Sequence, residues 1–189
     1  MSINLCAIAT PTLTGPVATL PPITAAHVTD DYLCWLNDKH LMRFSRQRLR
    51  HHTRETSIAY QQTFAGTANH LWAIEATDSG ELMGTINTYV DSQSLVADIG
   101  IMVGNPSARG RGLGKAAWGL VMAFLFNDLG MRKVTAGTVG GNIAMQKIAE
   151  HWQMRLEATL REQELIDEKP YDILRYGILK REWTSLPHR

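Results

Sequence analysis

The stretch Ile99-Gly100-Ile101-Met102-Val103, followed after five intervening residues by Arg109-Gly110-Arg111-Gly112-Leu113-Gly114, decides the reading of this chain. The first run is apolar and strand-like. From Lys115 to about Leu129 the pattern is helical, with Leu113, Ala117, Leu120, Val121, Phe124 and Leu125 on one face. Three glycines at alternate positions let a ligand approach the backbone N–H groups of the turn. The helix N-terminus behind them adds unpaired amide donors and the positive end of its dipole. Arg109 and Arg111 add charge at the same point. The stretch reads as a strand–turn–helix cradle for a phosphate or pyrophosphate.

Spacing narrows the ligand. A nucleoside-triphosphate loop needs a glycine five residues before its Gly-Lys-Ser/Thr. Here Arg109 stands at that place and Ala116 follows Gly114-Lys115, so that reading fails twice. Gly112-Leu113-Gly114-Lys115-Ala116-Ala117 is a weak dinucleotide fingerprint, which requires an acidic residue at the end of the next strand. The next strand, Lys133-Val134-Thr135-Ala136-Gly137-Thr138-Val139, has none, which argues against a nicotinamide cofactor.

The rest of the chain organises around this unit. Met1 to about Gly15 has no clear period and reads as a flexible lead or as a strand pairing with the first true one; residues 16–189 read as a single domain. Val17 to Leu20 forms a short strand stopped by Pro21-Pro22. Thr24 caps a helix whose apolar face includes Val28, Tyr32, Trp35 and Leu36, and a second helix runs from a Thr53 cap to Phe64, ending at Gly66. The period then becomes two: His70–Ala76, Leu82–Val90 and Leu95–Val103 are strands joined by Thr77-Asp78-Ser79-Gly80-Glu81 and Asp91-Ser92-Gln93-Ser94. A meander of three strands argues against a doubly wound sheet. After the glycine turn come a helix, a strand, a helix and two strands, giving an α/β fold with a mixed sheet.

Composition excludes further classes. A net charge of +1 over 189 residues argues against a general nucleic-acid or membrane-surface role. The one local excess is Arg43, Arg46, Arg48, Arg50 and Arg54, with His51 and His52 between; it reads as a solvated loop or as a capture site for an anionic substrate. Cys6 and Cys34 have no metal-ligand spacing and suit a reducing cytoplasm. No apolar run approaches the ~20 residues that span a bilayer, and the start lacks the pattern of a secretion signal.

Arg109-x-x-Gly112-x-Gly114 resembles the acetyl-CoA motif of the GNAT N-acetyltransferases. Four further elements are similar, in order. They are Tyr32-Leu33-Cys34-Trp35-Leu36-Asn37-Asp38, Leu129-Gly130-Met131-Arg132-Lys133-Val134, the helix from Asn142 to near Trp152, and Tyr171–Leu179 closing on Glu182-Trp183. The last resembles the ribosomal-protein alanine acetyltransferase branch. The resemblance spans roughly Leu20 to Trp183. It implies a mostly antiparallel central sheet flanked by helices and splayed between strands four and five. Pantetheine lies in that splay, with acetyl-CoA as cosubstrate. Ile101, Met102 and Val103 would bind it and offer an oxyanion donor; Arg109, Gly110, Arg111, Gly112, Leu113, Gly114 and Lys115 would hold its pyrophosphate. Asn142 would satisfy the pantetheine arm, cap its helix, or both. No metal is implied, and a homodimer is left open.

By this resemblance the reaction is direct attack of a primary amine in a ternary complex. The ammonium must lose a proton to a carboxylate, directly or through water. Asp98 lies on the strand leading to the cofactor turn, and Glu164 follows the sixth strand at the offset of an acidic residue proposed as base in the ribosomal branch. His70 and Glu75 are further titratable options. The chain departs from the family at the thiolate's proton donor. The tyrosine position is Ala149, the serine of the ribosomal branch is Met145, and the usual Gly-Phe after the helix is Gln153-Met154. A thiol of ordinary pKa, ~8.5, leaves with little help, and water can protonate it. The expected acceptor is a small molecule such as an amino sugar or its nucleotide. The alternatives are the N-terminus of a ribosomal or other protein, and a CoA-binding module with a degenerate active site.

Overall fold

The structure is a computed structural model and describes residues 8–185, so Cys6 lies outside the described residues. In chain order the elements are β1 (Leu13–Thr14), β2 (Ala18–Leu20), α1 (Asp30–Asn37), α2 (Arg54–Gln62), β3 (His70–Ala76), β4 (Leu82–Asp91), β5 (Val96–Val103), α3 (Leu113–Ala123), β6 (Lys133–Val139), α4 (Ile143–His151), β7 (Arg155–Ile166), β8 (Lys169–Leu179) and α5 (Lys180–Trp183). The eight strands form one sheet in the order β1-β2-β3-β4-β5-β6-β8-β7. Every neighbouring pair is antiparallel except β5 and β6. The two-residue β1 shifts the count by one, so the splay expected between strands four and five falls between β5 and β6.

Local chemistry sets the turns. Gly80 takes φ 68° in the β3–β4 hairpin, and the Asp91 carboxylate accepts the N–H groups of Gln93 and Ser94 at 3.0 Å to close the β4–β5 turn. The first helix starts later than its pattern predicts. Thr24 precedes only a short 3-10 turn, Ala25–His27, and α1 is capped by Thr29, whose hydroxyl accepts the Tyr32 N–H at 3.1 Å. Asp30 and Asp31 in the first turn favour that start, since anions suit a helix N-terminus. The second helix does start at its Thr53 cap, and Gly66 follows it at φ 69°.

The main core lies between the sheet and α3. Trp72, Ile74, Met83, Ile86, Ala97 and Ile99 present one face of the strands to Trp118, Val121, Met122, Leu125 and Phe126, all buried. Burial of each large side chain contributes about 1.5–3 kcal/mol. Beyond Ala123 the helix widens into a π turn, Phe124–Asp128, in which the Leu129 N–H reaches the Phe124 carbonyl at 3.0 Å. The wider turn allows three consecutive residues, Phe124, Leu125 and Phe126, to stay buried. On the opposite sheet face lie α1 and α2: Tyr32 reaches Thr85, and Phe64 packs on Tyr89 with ring centroids 5.8 Å apart.

Candidate active site

The parallel pair β5–β6 holds for three residues only, Val96–Lys133, Ala97–Val134 and Asp98–Thr135. Past that point β5 stays paired to β4 as far as Val103–Gly84, and β6 stays paired to β8 as far as Val139–Ile173. The facing edges from Ile99 and Ala136 onward therefore part into a V. Strand backbone in such a gap keeps N–H and C=O groups without a ladder partner, which suits an extended, amide-bearing ligand.

The glycine turn stands at the open mouth of the V. Gly110 and Gly112 both take φ 75°, and no atom lies within 4 Å of where a β-carbon would stand on either. The turn is thus left-handed and open, as close backbone approach requires. Gly112 is the N-cap position of α3, Leu113 is buried, and Lys115 is exposed. Gly114 packs against Val103, Ile101 and Ile148, with its β-position 3.4 to 3.9 Å from their side chains. Ile101 and Val103 thus face the helices, whereas Met102 pairs with Thr85 on the α1 face. Arg109 is exposed. Arg111 is exposed too, but its guanidinium bonds the Asp78 carboxylate of the β3–β4 turn at 2.7 Å and holds that carboxyl below its usual range. Asn142 caps α4, accepting the Met145 N–H at 3.3 Å, on the β6 side of the mouth.

The titratable candidates separate in space. Asp98 sits at the vertex of the V, half-buried, and accepts a hydrogen bond from the Thr135 hydroxyl at 2.8 Å. Burial pushes its carboxyl up; the Thr135 bond and the nearby Arg175 charge oppose the shift without cancelling it. Glu164 lies within β7, paired with Tyr171, rather than after that strand. Its register shifts between Leu160 and Glu164, where Glu162 takes φ 51°, and those extra residues escape a count along the sequence. The Glu164 carboxylate is buried against Arg48 at 2.7 Å and Arg46 at 3.7 Å. His70 is on the wrong face. It stacks on Trp72, meets Phe124 edge-on, and shares a 3.0 Å hydrogen bond with the Thr10 hydroxyl, so it cannot reach the vertex. Glu75 pairs with His27 at 3.3 Å, two strands from the V.

Neither helix position considered as a proton donor faces the gap: Ala149 and Met145 are both buried in the core. Among the described residues no three His, Cys, Asp or Glu side chains gather as metal ligands. Two aromatic side chains from the α1–α2 region cover the mouth. The Trp35 ring lies against Gly104, just past β5, and Phe44 would be 2.7 Å from a β-carbon on Gly141, just past β6. Phe44 also meets Tyr171 edge-on at 6.0 Å. Beside them a cleft of about 590 Å³ is lined by Lys39, His40, Arg43, Arg48, Leu165 and Asp167, among others. The sequence pattern placed Trp35 on an apolar helix face but revealed neither its cover over the mouth, nor Phe44, nor the arginine pairing. The advance signals are the Tyr32–Asp38 segment for Trp35 and the arginine-rich run for the pairing.

A parallel pair that parts beside a glycine turn and a helix N-terminus matches a known family. The acetyltransferase (GNAT) domain matches residues 18–155. The chain belongs to the GNAT acetyltransferases. It is 24% identical over 193 residues to the human alpha/beta-tubulin-N-acetyltransferase 9, covering 84% of this chain and 92% of that protein. A GCN5-related N-acetyltransferase from Brucella melitensis shares the fold with TM-score 0.76 at 19% identity, covering 94% of this chain and 82% of that one. Spermidine N-acetyltransferase from Vibrio cholerae, solved with CoA and spermine, does so with TM-score 0.76 at 15% identity, covering 90% of this chain and all of that one (100%). As a GNAT protein the chain is an acyltransferase that uses acetyl-CoA. The turn fits that group: two open left-handed glycines at a helix N-terminus suit its pyrophosphate, and the unpaired strand edges suit its amide-bearing arm.

Proposed function

We propose that this protein transfers the acetyl group of acetyl-CoA to the primary amine of a small molecule, such as an amino sugar, with Asp98 as the general base. The observation that carries the assignment is the place of Asp98, at the vertex where β5 and β6 part, with Thr135 orienting its carboxylate. A carboxyl raised by burial is a stronger base toward an ammonium than an ordinary exposed one. Glu164, the other carboxylate considered, is instead a structural partner of Arg48. Gly110, Gly112 and the α3 N-terminus hold the pyrophosphate, joined by Arg109 and by Arg111 when it lets go of Asp78. Leu113, Gly114 and Lys115 supply the first helical amides. Backbone groups of Ile101, Met102 and Val103 line one side of the gap, and Asn142 stands at the other. Acetyl-CoA supplies the activated acyl group. Asp98 takes the amine's proton, and water protonates the departing sulfur, since α4 offers no hydroxyl there.

The named activities of the relatives point in two directions, to tubulin for the human protein and to spermidine for the Vibrio enzyme. The cleft of about 590 Å³ beside the mouth is in the range of small-ligand sites and supports a small acceptor. An N-terminal peptide is the second reading, favoured by the human relative's protein substrate. The near-neutral charge supports an assembly without nucleic acid or membrane, and the free, exposed Cys34 supports the cytoplasm. Leu156 and Leu160, exposed on the outer strand β7, support a homodimer.

The test is thiol release from acetyl-CoA across a panel of small amines and peptides, repeated with Asp98→Asn and Glu164→Gln. Asp98→Asn is expected to lose about 10²–10⁴-fold in turnover with acetyl-CoA affinity unchanged, the loss shrinking at high pH. Glu164→Gln is expected to lose stability and keep turnover in the molecules that remain folded. Full activity of Asp98→Asn across pH would overturn the assignment of the base.

A further inference from the structure

Arg175, on β8, stands directly opposite Gly137 on β6, two residues past the last β5–β6 pair. Its guanidinium lies close over that glycine: a β-carbon on Gly137 would be 2.8 Å from Nη1. Residues 135 and 137 alternate onto one face, so Arg175 shares the acceptor side of the sheet with Thr135 and Asp98. Three other cations near this side are engaged. Lys133 holds Glu157 at 2.6 Å, Arg48 holds Glu164 at 2.7 Å, and Arg43 holds Asp167 at 3.4 Å. Among the described residues no carboxylate lies within 4.0 Å of the Arg175 guanidinium. Asp98 is near enough to be influenced by its charge but outside ion-pair distance. A cation and a carboxylate are thus held apart on the same face of the sheet, Asp98 at the vertex and Arg175 behind the β6 wall.

We propose that Arg175 binds an oxyanion of the acceptor, so that the substrate is a small amine carrying a carboxylate or phosphate within a few bonds of the reacting nitrogen. The inference rests on the acetyltransfer reading above and narrows its acceptor. A planar guanidinium offers two parallel donors to either anion, while Asp98 receives the ammonium, so a zwitterion spans the pair. A polyamine would bring a second cation against Arg175, and a peptide N-terminus brings a neutral amide there.

The test measures kcat and KM for four acceptors: an α-amino acid, its amide, phosphoethanolamine and ethanolamine. The anionic members are expected to exceed their neutral partners by at least about tenfold in kcat/KM, the size of a charge-assisted hydrogen bond. Whether the amino acid or phosphoethanolamine leads distinguishes carboxylate from phosphate. Arg175→Met should erase the preference by raising KM for the anionic acceptors well beyond any change in the neutral ones, a shift of the Asp98 base being common to all four, and Arg175→Lys should restore part of it. Acetyl-CoA affinity and Tm of each variant separate this from misfolding. Equal use of charged and neutral partners by the wild type, or an equal loss for all four in Arg175→Met, would overturn the inference alone. Release confined to peptides, or absent with every amine, would overturn the small-amine reading and this inference with it.

Discussion

Gln153 holds φ 53° immediately after α4, a left-handed conformation that costs an L side chain roughly 1–2 kcal/mol and a glycine almost nothing. It occupies the place where the family resemblance leads one to expect glycine, and its neighbour Met154 is buried. Gln153→Gly should therefore stabilise the protein by about 1 kcal/mol, after the larger chain entropy of glycine is deducted. Thermal unfolding should show Tm rising by about 2–4 °C. At this scale the cofactor turn was legible, because Gly110 and Gly112 signal a local backbone need that requires no partner. Arg175 and Glu164 were not legible in the same way. Arg175 acquires its meaning from Gly137, 38 residues earlier, and Glu164 from Arg48, 116 residues earlier. Arg175 depends on the β6–β8 register, and Glu164 on a β7–β8 register that contains two irregularities.

α3 and α4 meet through Gly119 and Trp152. The indole packs directly on the glycine, and its N–H donates to the Lys115 carbonyl at 3.0 Å. A β-carbon on Gly119 would overlap the ring, so Gly119→Ala forces the indole away and breaks that bond. Alanine's better helix propensity, roughly 1 kcal/mol, offsets only part of an overpacking cost of about 1–3 kcal/mol. A lower urea midpoint at unchanged m is the expected outcome. Because α4 carries Asn142 at one end, weaker acetyl-CoA binding should accompany it. Elements were mostly legible where a period of two or 3.6 ran between clear turn signals: β3 and β6 fall where their patterns place them. The start of α1 and the π turn after α3 were not. The first is decided by which of two threonines caps, the second by how many core contacts a widened turn keeps.

Across the whole molecule, the N-terminal segment is fastened to the sheet on the α3 side. Thr10 bonds the buried His70 ring and the Pro11 carbonyl receives the Trp72 indole N–H at 2.7 Å, while Leu13–Thr14 adds a strand to β2. Burial pushes the His70 imidazole down to about 4, and its Nε2 has no partner. The folded state therefore prefers the neutral ring. Its contribution is fully present above the ordinary pKa of 6.5 and is lost as pH falls through about 4. Within that window the loss approaches about 1.4 kcal/mol per pH unit. Urea midpoints of His70→Phe should fall less between pH 7 and pH 4 than those of the wild type, since phenylalanine has no proton to gain.

The same fastening bears on how far the chain can be trimmed. The matched family domain begins at residue 18, downstream of Thr10, Pro11 and β1. A chain cut there would leave the Trp72 indole N–H buried with nothing to receive it and would uncover the aromatic wall of Trp72, His70 and Phe124. A buried donor thus ties the fold to residues that lie upstream of the matched domain.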